Sequence, residues 1–340
     1  MSYLQILGGI LLLFAGGEAL VRGAVSIARR LGVSPLVVGL TVVALGTSAP
    51  ELVVSVNAAL SGRPELAVGN VVGSNIANIA LILGLACVIR PIAFDRDDIR
   101  PDMLAMLAAF ALLVALCSLG TIGRVAGAVM VGSLVVYLAR TYLRERAASV
   151  RRQAAESGSA PEVRSAASVG EGCELAPQDW HEEEAEEYAP VGNLALAAVL
   201  IAGGLASLVF GADLLVEGAS AIAVQLGVPA TVVGLTVVAF GTSLPELTTS
   251  VIASARCHAD VAVGNVLGSN IFNVLLILGV TALISPISIP AEIASFDVWV
   301  MLAAGLVTAY LVLARGRIGR LAGAALFAAY ITYVVFLYVQ

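Results

Sequence analysis

GLTVVALGTSAPEL, Gly39 to Leu52, and GNVVGSNIANIALILG, Gly69 to Gly84, bound the stretch on which the reading of this chain turns. Both return 195 residues later, as GLTVVAFGTSLPEL from Gly234 to Leu247 and GNVLGSNIFNVLLILG from Gly264 to Gly279. Laid over each other without a gap, Gly39–Gly84 and Gly234–Gly279 agree at 29 of 46 positions. The agreement includes every polar residue of the GTS-x-PE and GN-xx-GSNI-x-N segments. A duplicated core ordinarily keeps its apolar pattern and lets its polar residues drift. Here polar residues are kept inside segments otherwise fit for lipid, which asks for a chemical role.

The rest of the chain says what surrounds that stretch. Its 340 residues are 59% hydrophobic and 12% charged, with a mean hydropathy of +0.98. That composition marks an integral membrane protein. Apolar runs of about 20 residues are long enough to cross a bilayer as helices, and no region alternates as a membrane β-barrel does. The first residues lack a basic region and a small-residue cleavage site, so 4–28 reads as a retained helix. Cys87, Cys117, Cys173 and Cys257 are scattered without metal or redox spacing and read as small apolar filler. The formal charge of −6 reflects mostly one acidic patch, and all 18 basic residues are arginine.

Ten spanning segments are expected, near 4–28, 35–61, 66–89, 102–120 and 123–143, and near 192–224, 230–255, 261–284, 294–314 and 319–339. Gly203 and Gly204 read as a bend in the sixth. Residues 145–190 contain DWHEEEAEEY, Asp179 to Tyr188. They cannot bury a core and read as a mostly disordered acidic linker, His181 included. The chain thus divides into a first five-helix repeat, 1–144, the linker, 145–190, and a second five-helix repeat, 191–340. Five segments per repeat turn the second copy upside down. With the N-terminus outside, fifteen arginines face the cytoplasm, among them Arg29, Arg90, Arg144, Arg256 and Arg315, whereas Arg63 and Arg124 face outward. This bias sets both termini outside and the linker in the cytoplasm. The expected fold is an all-α polytopic membrane protein of ten transmembrane helices in two inverted repeats, the architecture of secondary transporters.

Within the second segment lie Thr47, Ser48, Pro50 and Glu51; the seventh carries Thr242, Ser243, Pro245 and Glu246. Proline breaks the helical ladder, so a kink at Pro50 is expected to free carbonyls from Ala44 to Thr47. Such backbone is tolerated in a membrane only where it lines a cavity or is otherwise satisfied. Asn70, Ser74 and Asn78 are spaced i, i+4, i+8 on one helical face, as are Asn265, Ser269 and Asn273. Gly69 with Gly73 and Gly264 with Gly268 suit close helix packing. The combined set of carboxylates, hydroxyls, amide oxygens and carbonyls is all hard oxygen, suited to calcium and alkali cations. Asparagines can also simply glue helices, and Asn70 and Asn265 are open to either reading. A carboxylate at mid-membrane, which costs at least ~2.5 kcal/mol, marks a functional site. Glu18 and Arg22, with Asp213 and Glu217, read as pairs, as snorkelling groups or as lining of an ion path. Arg256, His258 and Asp260 fall in a short loop with no role assigned.

On these motifs the chain resembles the calcium:cation antiporter superfamily, and within it the prokaryotic sodium/calcium exchangers. The resemblance covers both 46-residue repeats and the ten-helix layout. It implies four ion sites around helices two, three, seven and eight. Calcium would lie between Glu51 and Glu246 with the carbonyls of Thr47 and Thr242. Sodium would use Ser48, Ser74, Ser243 and Ser269 with the carbonyls of Ala44 and Ala239. It further implies that the first and sixth helices slide across this core. Family members often carry an aspartate where this chain has Asn273, opposite Asn78, so the site charge here falls from −3 to −2. The expected function is calcium/sodium antiport across a prokaryotic plasma membrane, with calcium/proton exchange as the rival and a passive channel behind it. No cofactor, nucleic acid or obligate protein partner is expected beyond the two ions and the bilayer. An enzyme is disfavoured: the membrane serines have no membrane histidine beside them, and HExxH is absent.

Overall fold

The computed structural model describes residues 2–63, 65–158, 193–226 and 239–339. Its helices are α1 (Ser2–Leu31), α2 (Pro35–Thr47), α3 (Ala49–Leu60), α4 (Leu66–Ile89), α5 (Arg96–Cys117) and α6 (Arg124–Gly158). They continue with α7 (Leu194–Gln225), α8 (Ala239–Thr242), α9 (Leu244–Ala255), α10 (Ala259–Ile284), α11 (Ile293–Arg315) and α12 (Arg320–Val339). Among the described residues, eight helices are long and apolar enough to cross a membrane, and α2 with α3 makes a ninth, broken span. Of the expected segment 230–255, residues 230–238 lie outside the described residues, as do 159–190 with Cys173, His181 and the acidic run.

Two short antiparallel ladders tie the loops at the helix ends. β1 (Ile92–Ala93) pairs with β4 (Arg317–Ile318), and β2 (Thr121–Ile122) pairs with β3 (Ile287–Ser288).

Burial ranks the helices. α4 and α10 are each 78% buried over their apolar window, against 11–39% for the other unbroken spans. They are the inner helices, and the outer ones show Leu7, Leu11, Phe14 and Tyr310 to the surroundings. One apolar core gathers α4, α5, α10 and α11 through residues such as Ile79, Phe110, Ile271 and Met301. A second gathers α1, α7 and α9 through Leu20, Ile201, Leu208 and Ile252.

α1 and α7 lie backbone to backbone. A methyl group on Gly16 would fall 2.9 Å from the Gly204 carbonyl oxygen, and one on Gly9 would fall 2.7 Å from that of Gly211. The two pairs exchange under the 195-residue offset of the duplication. α7 runs unbroken through Gly203 and Gly204, so these glycines do not interrupt the helix. Gly204 serves close approach to α1.

The break in α2/α3 is also displaced from its expected place. The helix bends by 43°, and the turn falls at Ser48 (φ −80°, ψ 5°). Pro50 lies in the first turn of α3, where a missing N–H leaves no bond unmade. Proline therefore starts the new helix, and the residue two places earlier carries the turn. Ser243 (φ −90°, ψ 3°) does the same between α8 and α9. The start of α2 is capped by Ser34, whose Oγ accepts from the Val37 amide at 3.4 Å.

α6 continues past Arg144 to Gly158, so the segment read as linker begins as helix. The Glu145 carboxylate is buried and accepts from the Ser34 amide at 2.7 Å. An apolar-pattern boundary at Arg144 misses this, because the helix is held by a tertiary contact to the α1–α2 loop.

Candidate functional site

Glu51 and Glu246 each sit in the first turn of a helix, α3 and α9, directly after a broken span. Helix N-termini favour negative charge. Both carboxylates are buried, each 1% exposed. The serine at each break reaches across to the other copy. Ser48 Oγ donates to Glu246 Oε1 at 3.1 Å, and Ser243 Oγ donates to Glu51 Oε1 at 3.3 Å. Each carboxylate is thus held at one oxygen by the opposite repeat. The other oxygens, Glu51 Oε2 and Glu246 Oε2, are buried with no partner among the described residues.

Two asparagines act as struts behind these carboxylates. Asn70 Nδ2 donates to Ser55 Oγ at 3.0 Å and to the Glu51 carbonyl at 3.3 Å. Asn265 Nδ2 donates to Ser250 Oγ at 3.0 Å and to the Glu246 carbonyl at 3.4 Å. Thr47 Oγ1 donates to Asn265 Oδ1 at 3.0 Å. These bonds fix α3 on α4 and α9 on α10, so Asn70 and Asn265 are occupied in positioning.

The remaining expected residues cluster on the inner helices. Ser74, Asn78, Ser269 and Asn273 are buried. Ser269 Oγ, both ends of Asn78 and Asn273 Oδ1 have no hydrogen-bond partner among the described residues. Asn273 opens a π-helical stretch, Asn273–Leu278, and Asn78 lies in another, Ala77–Leu83. Wide turns of this kind recur at functional positions. The Ala44 carbonyl is not left bare by the break: it accepts from the Ser48 amide at 3.0 Å and from Thr47 Oγ1 at 3.4 Å. Thr242 is half-buried and Ala239 begins α8.

Leaving a buried polar atom unpaired costs about 1–3 kcal/mol, and more for a charged one. Among the expected site residues such atoms are the second oxygens of Glu51 and Glu246, Ser269 Oγ, Asn273 Oδ1 and both ends of Asn78, all oxygen apart from one amide nitrogen. Among the described residues no group of three or more His, Cys, Asp or Glu could hold a metal ion. A cation at this place would therefore be met by two carboxylates and neutral oxygens, which suits a hard, weakly polarisable ion.

A methyl on Gly264 would fall 2.5 Å from the Leu36 carbonyl oxygen, and one on Gly268 would fall 2.6 Å from that of Leu40. The counterparts of Leu36 and Leu40 in the second copy, Thr231 and Leu235, lie outside the described residues.

Several residues of the site region escape a reading by helical stripe. Ser55 and Ser250 receive the strut asparagines. Asn75 and Asn270 are wholly buried one residue off the stripe. Each pair is identical between the two copies, and that identity was the available signal. Glu18 bonds across to Arg256, with 3.3 Å between Glu18 Oε2 and Arg256 Nε, so Arg256 ties its loop to α1. Glu217 accepts from Gln5 at 3.1 Å. His258 in the same loop is held neutral, its pKa pushed down to about 4 by burial and by the Arg29 charge. Asp260 belongs to the first turn of α10 rather than to the loop.

Comparison with known proteins supplies the family. The sodium/calcium exchanger protein family matches residues 1–143 and 196–339. The chain is 31% identical to the sodium/calcium exchanger MaX1 of Methanosarcina acetivorans over 99% of both chains. It is 33% identical to the inner membrane protein YrbG of Escherichia coli, over 97% of this chain and 94% of that one. Among solved structures, the sodium-calcium exchanger NCX_Mj superposes with a TM-score of 0.78 at 30% identity, over 99% of this chain and 98% of that one.

Proposed function

Because the chain belongs to the sodium/calcium exchanger protein family, we propose that it moves calcium and sodium in opposite directions through the cage between Glu51 and Glu246. The family consists of transporters, not enzymes, and the cargo is the ions themselves. The observation that carries the site is the crossed pair of bonds, Ser48 to Glu246 and Ser243 to Glu51, which leaves one free carboxylate oxygen on each side.

Calcium is held by Glu51 and Glu246, whose two charges cancel its own, with the carbonyls of Thr47 and Thr242. Sodium uses Ser48, Ser74, Ser243 and Ser269, the amides of Asn78 and Asn273, and the carbonyls of Ala44 and Ala239. A set with only two carboxylates cannot hold its full complement of both ions, so each ion displaces the other. The empty cage keeps two like charges in low dielectric, whereas a loaded cage is close to neutral. Movement between the two faces is thereby tied to occupancy.

The layout is ten spans in two inverted repeats, lying in the plasma membrane, with both termini outside and 145–190 in the cytoplasm. The reciprocal contacts support the pseudo-two-fold: Gly16 with Gly204 exchanges with Gly9 and Gly211, and Ser48 with Glu246 exchanges with Ser243 and Glu51. The arginine asymmetry supports the orientation. The test is calcium uptake into proteoliposomes under an imposed sodium gradient. Accumulation above the external concentration is expected, and it excludes a passive channel. Uptake driven by a proton gradient alone would overturn sodium as the counter-ion.

A further inference from the structure

Asn78 and Asn273 match in the duplication but differ in their surroundings. Asn273 Nδ2 donates to Oδ1 of Asn75 on α4 at 3.1 Å. Asn75 Nδ2 in turn points to the sulfur of Met301 on α11 at 3.7 Å. Asn75, Asn273 and Met301 are wholly buried. A side-chain amide has one donor end and one acceptor end. Because the donor end of Asn273 is committed to Asn75, what remains is its Oδ1, buried and without a partner. The other side has no such arrangement. Asn270, the counterpart of Asn75, donates to the Val266 carbonyl of its own helix at 2.6 Å. Neither end of Asn78 has a partner.

We propose that Asn75 is a positioning residue, held by Met301, that fixes which end of the Asn273 amide is left for the transported cation. The inference rests on the Glu51–Glu246 cage being the ion site. The chain of donors runs one way, from Asn273 to Asn75 to the Met301 sulfur, and leaves a free oxygen at its head, on Asn273. Reversing the Asn273 amide would replace that oxygen by an NH2 group of nearly the same shape. Oxygen attracts a cation and an amide N–H repels it, so a neutral ligand of this kind is only as good as its orientation. A carboxylate needs no such lock, since both of its ends are oxygens. The lock therefore belongs to a chain that carries asparagine at 273, and it makes the two matched amides inequivalent. Asn273 is a fixed oxygen ligand, whereas Asn78 is free to turn either end.

The test is a double-mutant cycle on the purified full-length protein in proteoliposomes, reading apparent affinities for calcium and sodium. Asn75→Ala is expected to weaken both by about tenfold, the scale of losing one oriented polar contact. In an Asn273→Asp background the same substitution is expected to shift them by less than about twofold, because the coupling is gone. Met301→Leu, close to methionine in volume, is expected to shift the affinities in the same direction by a smaller factor. A purely structural role for Asn75 would cost the same in both backgrounds, and that result would overturn the proposal. If Asn75→Ala fails to insert, Met301→Leu decides alone, and unchanged affinities then overturn it. Glu51→Gln and Glu246→Gln separate the two levels. If they keep calcium affinity, the cage reading fails and takes this inference with it. If they abolish binding while the cycle shows no coupling, only the positioning role fails.

Discussion

At the scale of single residues, the proposed chemistry rests on two carboxylates that share no direct partner and lean on each other's serines. Ser48 and Ser243 neutralise nothing; they orient one oxygen of Glu246 and of Glu51 and leave the second open. Glu51→Gln or Glu246→Gln is expected to lower calcium transport by about 100-fold or more, since removing one partner of a buried charge pairing costs roughly 3–5 kcal/mol. The check is sodium-driven uptake with the amount of inserted protein measured in parallel; near-normal uptake by either variant would remove that glutamate from the site. The glutamates were legible in the sequence, because a charge inside an apolar span has few explanations. The division of labour among the asparagines was not. Asn70 and Asn78 look alike on a helical stripe, yet Asn70 is bound to Ser55 and the Glu51 carbonyl while Asn78 has no partner. The difference arises from which neighbour packs opposite, and one helix's periodicity does not contain that neighbour.

At the scale of elements, two features moved from where the sequence put them. The break expected at Pro50 has its turn at Ser48, and the helix expected to bend at Gly203–Gly204 runs through them unbroken. In both cases the residue type is correct and its job is different: proline begins α3, and Gly204 lets α1 approach α7. The α1–α7 contact gives a sharp contrast between adjacent positions. A methyl at Gly204 would fall 2.8 Å from the Gly16 carbonyl oxygen, while Gly203 has nothing within 4 Å among the described residues. Gly204→Leu is expected to destabilise by about 1–3 kcal/mol or more through overpacking. Gly203→Leu is expected to be neutral or slightly favourable, because leucine is the better helix former. Thermal unfolding in detergent, measured for both variants, checks this, and equal effects would mean that the two helices do not meet as described. Glu145 is a third such element-level feature. It caps the α1–α2 loop from within a segment whose composition reads as linker, so composition alone places the boundary too early.

At the scale of the whole molecule, the inner pair α4 and α10 carries the polar stripe, and the outer helices present the apolar surface. The proposed orientation predicts which loops can be reached from outside. In a cysteine-free background, Arg63→Cys and Arg124→Cys are expected to react with an impermeant thiol reagent added to intact cells, and Arg151→Cys only after permeabilisation. The reverse pattern would turn the molecule over. Membrane residence, the duplication and the two carboxylates were determined by the sequence itself, because hydropathy, repeat identity and the cost of buried charge are local or one-dimensional properties. The all-helical exchanger fold agrees with that reading. Only the tertiary structure decided that Ser48 bonds to Glu246 rather than to its own copy's Glu51, that Glu18 meets Arg256 and that Asn273 is tied to Asn75 while Asn78 is not. The physical reason is that hydrogen bonds are short and directional. Two copies of one motif read identically along the chain, and which of them a serine or an amide reaches depends on how the helices cross.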